Sequence, residues 1–398
     1  MFPAARESDT MAQDVRVGEE AMNRREFSRL VVGVSAFPSA EARVSNSVTI
    51  PDMTRLARKI RPGVFESGKH NDLTDIDGVR VGHATLVEGD SIRTGVTAIL
   101  PHRENIYQRK VPGAVYVGNA FGKLAGSTQV NELGNIEAPI ILTNTLSVGA
   151  GVAGGVKYVL AQPGNEKTIS VNVLVGETND GILNDIRAMR VTPEDVLTAI
   201  ADADAEPVKQ GCVGAGTGTI CFGWKGGMGS ASRVLPPRYG GWSVGALVQT
   251  NYGGLLMMNG FHVGEALGAK LYPADGSCMI VVATDAPLEH RSLYRLAKRS
   301  VFGLARTGSA YSNGSGEFSI AFTTFKGNRV AHGANGPADV KVLSNDSMSP
   351  LFQAVLEVVE EAVYSSLLHA TTTTGNGNTI LALPIDRLWA VLANISHA

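Results

Sequence analysis

The sequence predicts an α+β chain in which layered sheets are flanked by helices, and three observations carry that prediction. Of the 398 residues, 44% are hydrophobic and 18% charged, the balance of a globular core with a solvated surface. Apolar segments switch between period two and period 3.6, but strands often follow one another directly, which disfavours a regular βαβ winding. The 46 glycines are spread along the chain, so they mark tight turns and close backbone approaches rather than a linker. With no internal repeat and no long linker, one compact domain is expected.

Along the chain, residues 79–85 alternate as a strand does, and 94–100 form a second strand closed by Pro101. Residues 113–118 are a third. A short buried strand at 138–143 runs into a Gly-rich turn and then a helix near 155–161, and 171–176 is again strand. Thr192-Pro193-Glu194-Asp195 opens a helix through Asp204. Threonine caps it, proline sits in the first turn, and the acids lie where the helix dipole favours them. Residues 244–250 and 279–284 are predicted buried strands. Residues 288–300 and 348–368 carry apolar side chains at i, i+3, i+4 and are predicted helices.

Net charge is −2, so nothing favours a polyanionic partner such as nucleic acid. The three cysteines, Cys212, Cys221 and Cys278, include no CxxC pair and give neither a disulfide framework nor a zinc signature. They read as buried small hydrophobes, with Cys278 a lesser candidate nucleophile. At the N-terminus, Arg24-Arg25 precedes a short apolar run at 30–37 and the small-residue site Ala40-Glu41-Ala42, the outline of a twin-arginine export signal. Residues 1–42 are expected to be a leader and the mature protein periplasmic; a disordered tail on a cytoplasmic protein is the alternative, and Met22 is a second candidate start. The apolar run is too short to span a membrane, so no integral membrane protein is expected.

The chemistry centres on Gly276 and Ser277. Asp275-Gly276-Ser277 is a turn-type cluster followed at once by the apolar stretch from Cys278 to Thr284, so Ser277 stands where a loop enters a rigid element. A Gly-Ser pair by itself is also what a plain turn serine looks like. A serine hydroxyl needs a base. If Ser277 becomes a chain terminus, its own α-amine, with a pKa of about 7.7–8.0, can serve. That amine is on the same residue as the hydroxyl, so little orienting entropy is lost. Gly276, lacking Cβ, can adopt a geometry that exposes its carbonyl to attack. A second cluster, Ser312-Asn313-Gly314-Ser315-Gly316-Glu317, leads into a predicted strand at 318–322. Ser315 and Glu317 are two apart and in extended backbone point the same way. Such a carboxylate beside a hydroxyl can orient a hydrogen-bond chain to an amine; a solvated polar loop is the plain reading of the same residues.

Together these pieces resemble the DmpA-like self-processing aminopeptidases, which include L-aminopeptidase/D-esterases and β-peptidyl aminopeptidases. The matching stretches run in order from Leu73-Thr74-Asp75-Ile76-Asp77-Gly78-Val79-Arg80-Val81-Gly82-His83 through Thr143-Asn144-Thr145, Glu177-Thr178-Asn179-Asp180-Gly181, Gly214-Ala215-Gly216-Thr217-Gly218 and Lys225-Gly226-Gly227. Val248-Gln249-Thr250-Asn251-Tyr252-Gly253, the Gly276-Ser277 junction, Ala283-Thr284-Asp285-Ala286-Pro287 and the Ser315/Glu317 pair complete the set. The resemblance implies an αββα sandwich, N-terminal-nucleophile-like but of DmpA topology. It implies a precursor cut into an α chain, 43–276, and a β chain, 277–398, several such pairs assembling together, and no metal or other cofactor. The nucleophile falls on Ser277 and the pair that polarises its amine on Ser315 and Glu317. The oxyanion donor falls on Asn251, and the acid that binds the free amine of a short peptide or amino-acid amide falls on Glu177. The family often has a tyrosine two residues after that glutamate, as an oxyanion or pocket group; here Asn179 stands, which puts the substrate pocket in question.

Competing readings are weaker. The Gly-rich run 214–218 is followed by a strand-like stretch, not by the helix N-terminus that would hold a pyrophosphate. No G-x-S-x-G elbow supports a Ser-His-Asp hydrolase, and His83, His262 and His290 read as structural. An uncut relative with a binding role is the alternative of another class.

Overall fold

Every residue from Ser277 to Thr284 is buried, and a strand buried on both faces has to lie inside a layered structure. Its side chains divide accordingly. Cys278, Ile280 and Val282 belong to one hydrophobic cluster, and Met279, Val281 and Ala283 to another. The computed structural model describes residues 60–271 and 275–395, all within one compact unit, Ile50–Ala398. The leader expected at 1–42 lies outside the described residues.

The main strands are β1 (Arg80–Glu88), β2 (Ile92–Leu100), β3 (Arg109–Ala120), β4 (Ile140–Asn144), β5 (Val175–Thr178), β6 (Gly227–Val234), β7 (Ser243–Asn251), β8 (Ser277–Thr284) and β9 (Gly316–Thr323). The main helices are α1 (Val148–Leu160), α2 (Pro193–Ala201), α3 (His290–Arg306) and α4 (Ser349–Leu368). One sheet has the order β1-β2-β4-β5, extended by Leu124–Ala125. The other runs β6-β7-β8-β9-β3, extended by Val330–Ala331. Only β4–β5 and β8–β9 are parallel among these neighbours.

Three clusters hold four layers together. Val96, Ala98, Ile141 and Val175 pack the first sheet on Val159 of α1 and on Val196 and Ala199 of α2. Ile99, Ile140 and Leu142 meet Leu247, Met279, Val281 and Ile320 between the sheets. Val248, Ile280 and Val282 meet Leu293 and Leu296 of α3 and Val355, Val358 and Ala362 of α4. The architecture is the αββα sandwich. At about 25 cal/mol per Å² of apolar area, such two-sided burial is the main stabilising term.

Local signals behave as expected at several ends. Thr192 caps α2 in a full capping box with Asp195, with proline in the first turn; the helix stops at Ala201 rather than Asp204. Two further expectations shift. The Gly-rich turn before 155–161 is itself helix, so α1 begins at Val148. The reason is packing: a Cβ on Gly151 would lie 2.6 Å from Val175 Cγ1, so the glycine lets helix and sheet approach. The strand expected at 171–176 begins only at Val175, because Asn172 is held instead by the Glu137 carboxylate, at 2.8 Å to its N–H.

A buried ion cluster ties the start of the described chain to α4. Arg233, fully buried, donates from Nε to Glu357 Oε2 at 3.0 Å and pairs with Glu361. Glu357 also accepts from the N–H groups of Val64 and Phe65. Removing one partner leaves buried charge uncompensated, so Arg233→Ala is expected to cost about 3–5 kcal/mol. A urea midpoint unchanged from wild type would contradict this. Among the described residues no helix is long and apolar enough to cross a membrane.

Candidate active site

Ser277 opens β8 and Asn251 closes β7, and the antiparallel register sets them directly opposite one another. Opposed residues point to the same face with Cβ atoms about 4.5–5.5 Å apart. That face is the one between the sheets, because Ser277 keeps step with Met279 and Val281, and Asn251 with Leu247. Both are buried, Ser277 at 6% exposure and Asn251 at 8%. Asn251 Oδ1 accepts the Ile220 N–H at 3.0 Å, which leaves its NH2 end as the donor. Its side chain therefore does not cap its own turn, the plain role open to an asparagine there.

The Gly276 carbonyl stands at the junction. Ser277 Oγ donates to it at 2.6 Å, and the Gly316 N–H donates to it at 3.1 Å. A Cβ on Gly276 would fall 2.0 Å from the Asn251 carbonyl oxygen, so only glycine fits this close approach. Gly316 pairs with Ser277 in the parallel β8–β9 ladder.

Ser315 and Glu317 flank that glycine, and the Ser315 hydroxyl donates to Glu317 Oε1. Both side chains lie on the opposite face of the sheet from the Ser277 hydroxyl, the face of α3 and α4, since Phe318 and Ile320 point between the sheets. The Ser277 backbone runs between the two faces. Glu317 is fully buried, and burial pushes its carboxyl above the usual range. Its Oε2 makes no hydrogen bond of normal geometry among the described residues, although the Asn119 side chain lies close enough to favour the charged form. Cys278 shares this face and not that of Ser277; burial pushes its thiol well up, so it is no thiolate at neutral pH.

Glu177 is the penultimate residue of β5 and is 2% exposed. Its Oε1 accepts the Lys123 N–H at 2.9 Å, and Lys123 Nζ, half-exposed, lies 3.3 Å away. It neighbours the Ser277 end of the sheets through two contacts. A Cβ on the adjoining Gly176 would meet Met279, two residues after Ser277; a Cβ on Gly122 would meet both Glu177 and the Phe318 ring. Asn179 is exposed, and its Oδ1 accepts the Gly181 N–H at 2.9 Å in a local turn. No hydrogen bond joins it to the other residues of the cluster among those described.

The structure thus gathers Asn251, Gly276, Ser277, Ser315, Gly316 and Glu317 at one strand end, with Glu177 beside them. Sequence reasoning missed the Gly316 N–H, which lies between two residues it did single out, and Lys123, for which the sequence holds no local signal. His83 and His290 serve the fold: His83 Nδ1 meets Thr97 Oγ1 at 2.9 Å, with burial pushing its pKa down to about 4, and His290 Nδ1 meets the Gly113 carbonyl at 2.8 Å. The short helical turn Gly214–Gly216 leads to strand Ile220–Cys221 and to no helix N-terminus. Among the described residues no three His, Cys, Asp or Glu side chains converge as metal ligands would.

Residues 71–380 match the model of peptidase family S58. The β-peptidyl aminopeptidase BapA of Sphingosinicella microcystinivorans is 39% identical over 369 residues, 83% of this chain and 90% of that protein. The crystal structure of the PH0078 protein of Pyrococcus horikoshii is 44% identical with a TM-score of 0.80, covering 85% of this chain and 99% of that one. The L-aminopeptidase D-Ala-esterase/amidase of Ochrobactrum anthropi, described as a variant of the Ntn hydrolase fold, is 33% identical with a TM-score of 0.80, over 85% of this chain and 98% of its own.

Proposed function

The chain belongs to peptidase family S58, and on that premise we propose that it is an aminopeptidase that frees its own nucleophile by cutting between Gly276 and Ser277. The observation that carries this reading is the Gly276 carbonyl: it is held by the Gly316 N–H and touched by the Ser277 hydroxyl, with Asn251 on the same face. Ser277 Oγ attacks the Gly276 carbonyl carbon and its proton passes to the Ser277 nitrogen. The C–N bond breaks to leave an ester on Oγ and a free amine, and water hydrolyses the ester. The new α-amine then serves as base for the same hydroxyl in turnover. Glu317 Oε2 is an acceptor suited to that amine.

In turnover a substrate acyl group takes the place of Gly276 on Ser277 Oγ, and the Asn251 NH2 donates to the oxyanion. Glu177 pairs with the substrate ammonium through the oxygen that Lys123 leaves open. Substrates are short peptides or amino-acid amides, with esters as a further class. Export through the twin-arginine leader and assembly of several processed pairs belong to the same reading.

Chromogenic amino-acid amides test it. Free-amine substrates should be cleaved and their N-acetylated forms should not. Glu177→Gln should raise KM about tenfold with a smaller change in kcat, the lower end of what a hydrogen bond to a charged group is worth. Equal rates on blocked and free substrates would refute the aminopeptidase assignment.

A further inference from the structure

The two residues just before Ser277 are tied to the loop that leads into β9. Gly314 N–H donates to Asp275 Oδ1 at 3.1 Å, and Gly316 N–H donates to the Gly276 carbonyl at 3.1 Å. The Gly276 carbonyl thus makes the first main-chain rung of the parallel β8–β9 ladder, and the Asp275 carboxylate adds a side-chain extension of it onto Gly314. Asp275 is exposed, whereas Ser277 is buried. The carboxylate comes so close to Gly314 that a Cβ there would lie 2.3 Å from Asp275 Oδ1.

We propose that this extension is a precursor-specific clamp: Gly316 N–H is the main-chain donor to the oxyanion of self-cleavage, and Asp275 is the positioning residue that holds the scissile carbonyl on it. The inference rests on the self-cleavage reading above and adds the device that aligns the cut. Attack at Gly276 turns its carbonyl oxygen into an oxyanion, and a donor already bonded to that oxygen strengthens as the charge develops. Asp275 restrains the one segment that must stay still while the new bond forms. Once the ester is hydrolysed, Asp275 and Gly276 become the end of the α chain and are no longer bonded to Ser277. Asp275 therefore contributes to processing and not to turnover.

Pulse-labelled precursor followed on denaturing gels gives a half-time for cleavage. Asp275→Ala should lengthen it about tenfold, the lower end for a hydrogen bond to a charged group because the contact is exposed. Asp275→Asn, which keeps the acceptor oxygen, should stay within about twofold of wild type by the same logic. Gly314→Ala should slow cleavage as Asp275→Ala does, because its Cβ evicts the carboxylate. After processing is complete, the Asp275→Ala and wild-type enzymes should share one kcat/KM. If wild type cuts itself and Asp275→Ala keeps pace, the clamp is wrong and the self-cleavage reading stands. Equal losses in processing and in turnover would also overturn the clamp, making Asp275 a general support of the site. A wild-type chain that is active without cutting would overturn both.

Discussion

Ser277→Ala is expected to purify as one uncut chain with no measurable amide hydrolysis. The substitution removes only the hydroxyl from a position that is 6% exposed, and alanine leaves the β7–β8 pairing in place. What is lost is the atom that touches the Gly276 carbonyl at 2.6 Å, and with it both the proposed self-cleavage and the proposed acyl-enzyme. Removing the nucleophile of a serine hydrolase lowers kcat on the order of 10⁶-fold; here the block is compounded, because without the cut the α-amine base is never formed. Ser277→Cys should still process, since a thiol also performs the acyl shift. An Ala variant that folds and turns over like wild type would move the nucleophile elsewhere.

The second large effect is expected at Asn251. Loss of one oxyanion donor lowers kcat about 10²–10³-fold, and Asn251→Ala should show that loss with little change in KM. The structure adds a stability cost, because Oδ1 also accepts the buried Ile220 N–H. Leaving that donor unpaired costs about 1–3 kcal/mol, so the Ala variant should also melt earlier. Asn251→Asp separates the two roles. It keeps an acceptor for Ile220 but replaces the donor with a negative charge beside the developing oxyanion. Its kcat should fall at least as far as that of Ala, while more of the melting temperature is retained. A variant with near-normal kcat per folded molecule and a lowered melting temperature would make Asn251 purely structural.

The layered architecture was legible because its strands are short, apolar and often consecutive, and because α3 and α4 carry apolar residues at helical spacing, α3 sharply and α4, buried nearly all round, less so. Strand β6 was not legible. Its sequence, Gly227-Met228-Gly229-Ser230-Ala231-Ser232-Arg233-Val234, is rich in small and polar residues and is assigned to no element from sequence, yet it is almost wholly buried. Small residues are needed there because α4 lies against it, and a Cβ on Gly229 would reach 2.0 Å from the Ala362 carbonyl. Arg233 is tolerated because two carboxylates from α4 meet it. Such cross-chain compensation has no local signature.

The site was legible in part. Spacing placed Ser315 and Glu317 on one face, and their hydrogen bond agrees with that. The pairing of Asn251 with Ser277 comes from strand register, which periodicity does not specify. Two residues carried by family resemblance behave differently from each other. Glu177 is buried at the site but already holds the Lys123 backbone and ammonium groups. Asn179, where the family often has tyrosine, spends its side-chain oxygen on its own turn. The Gly316 N–H is a main-chain donor, and only coordinates reveal one.

Whether the chain makes its own N-terminal nucleophile is decided by the mass and N-terminal sequence of the purified protein. Two fragments are expected under denaturing conditions, the shorter spanning 277–398 and beginning Ser-Cys-Met-Ile. A fully active preparation that remains one chain across Gly276 and Ser277 would contradict it.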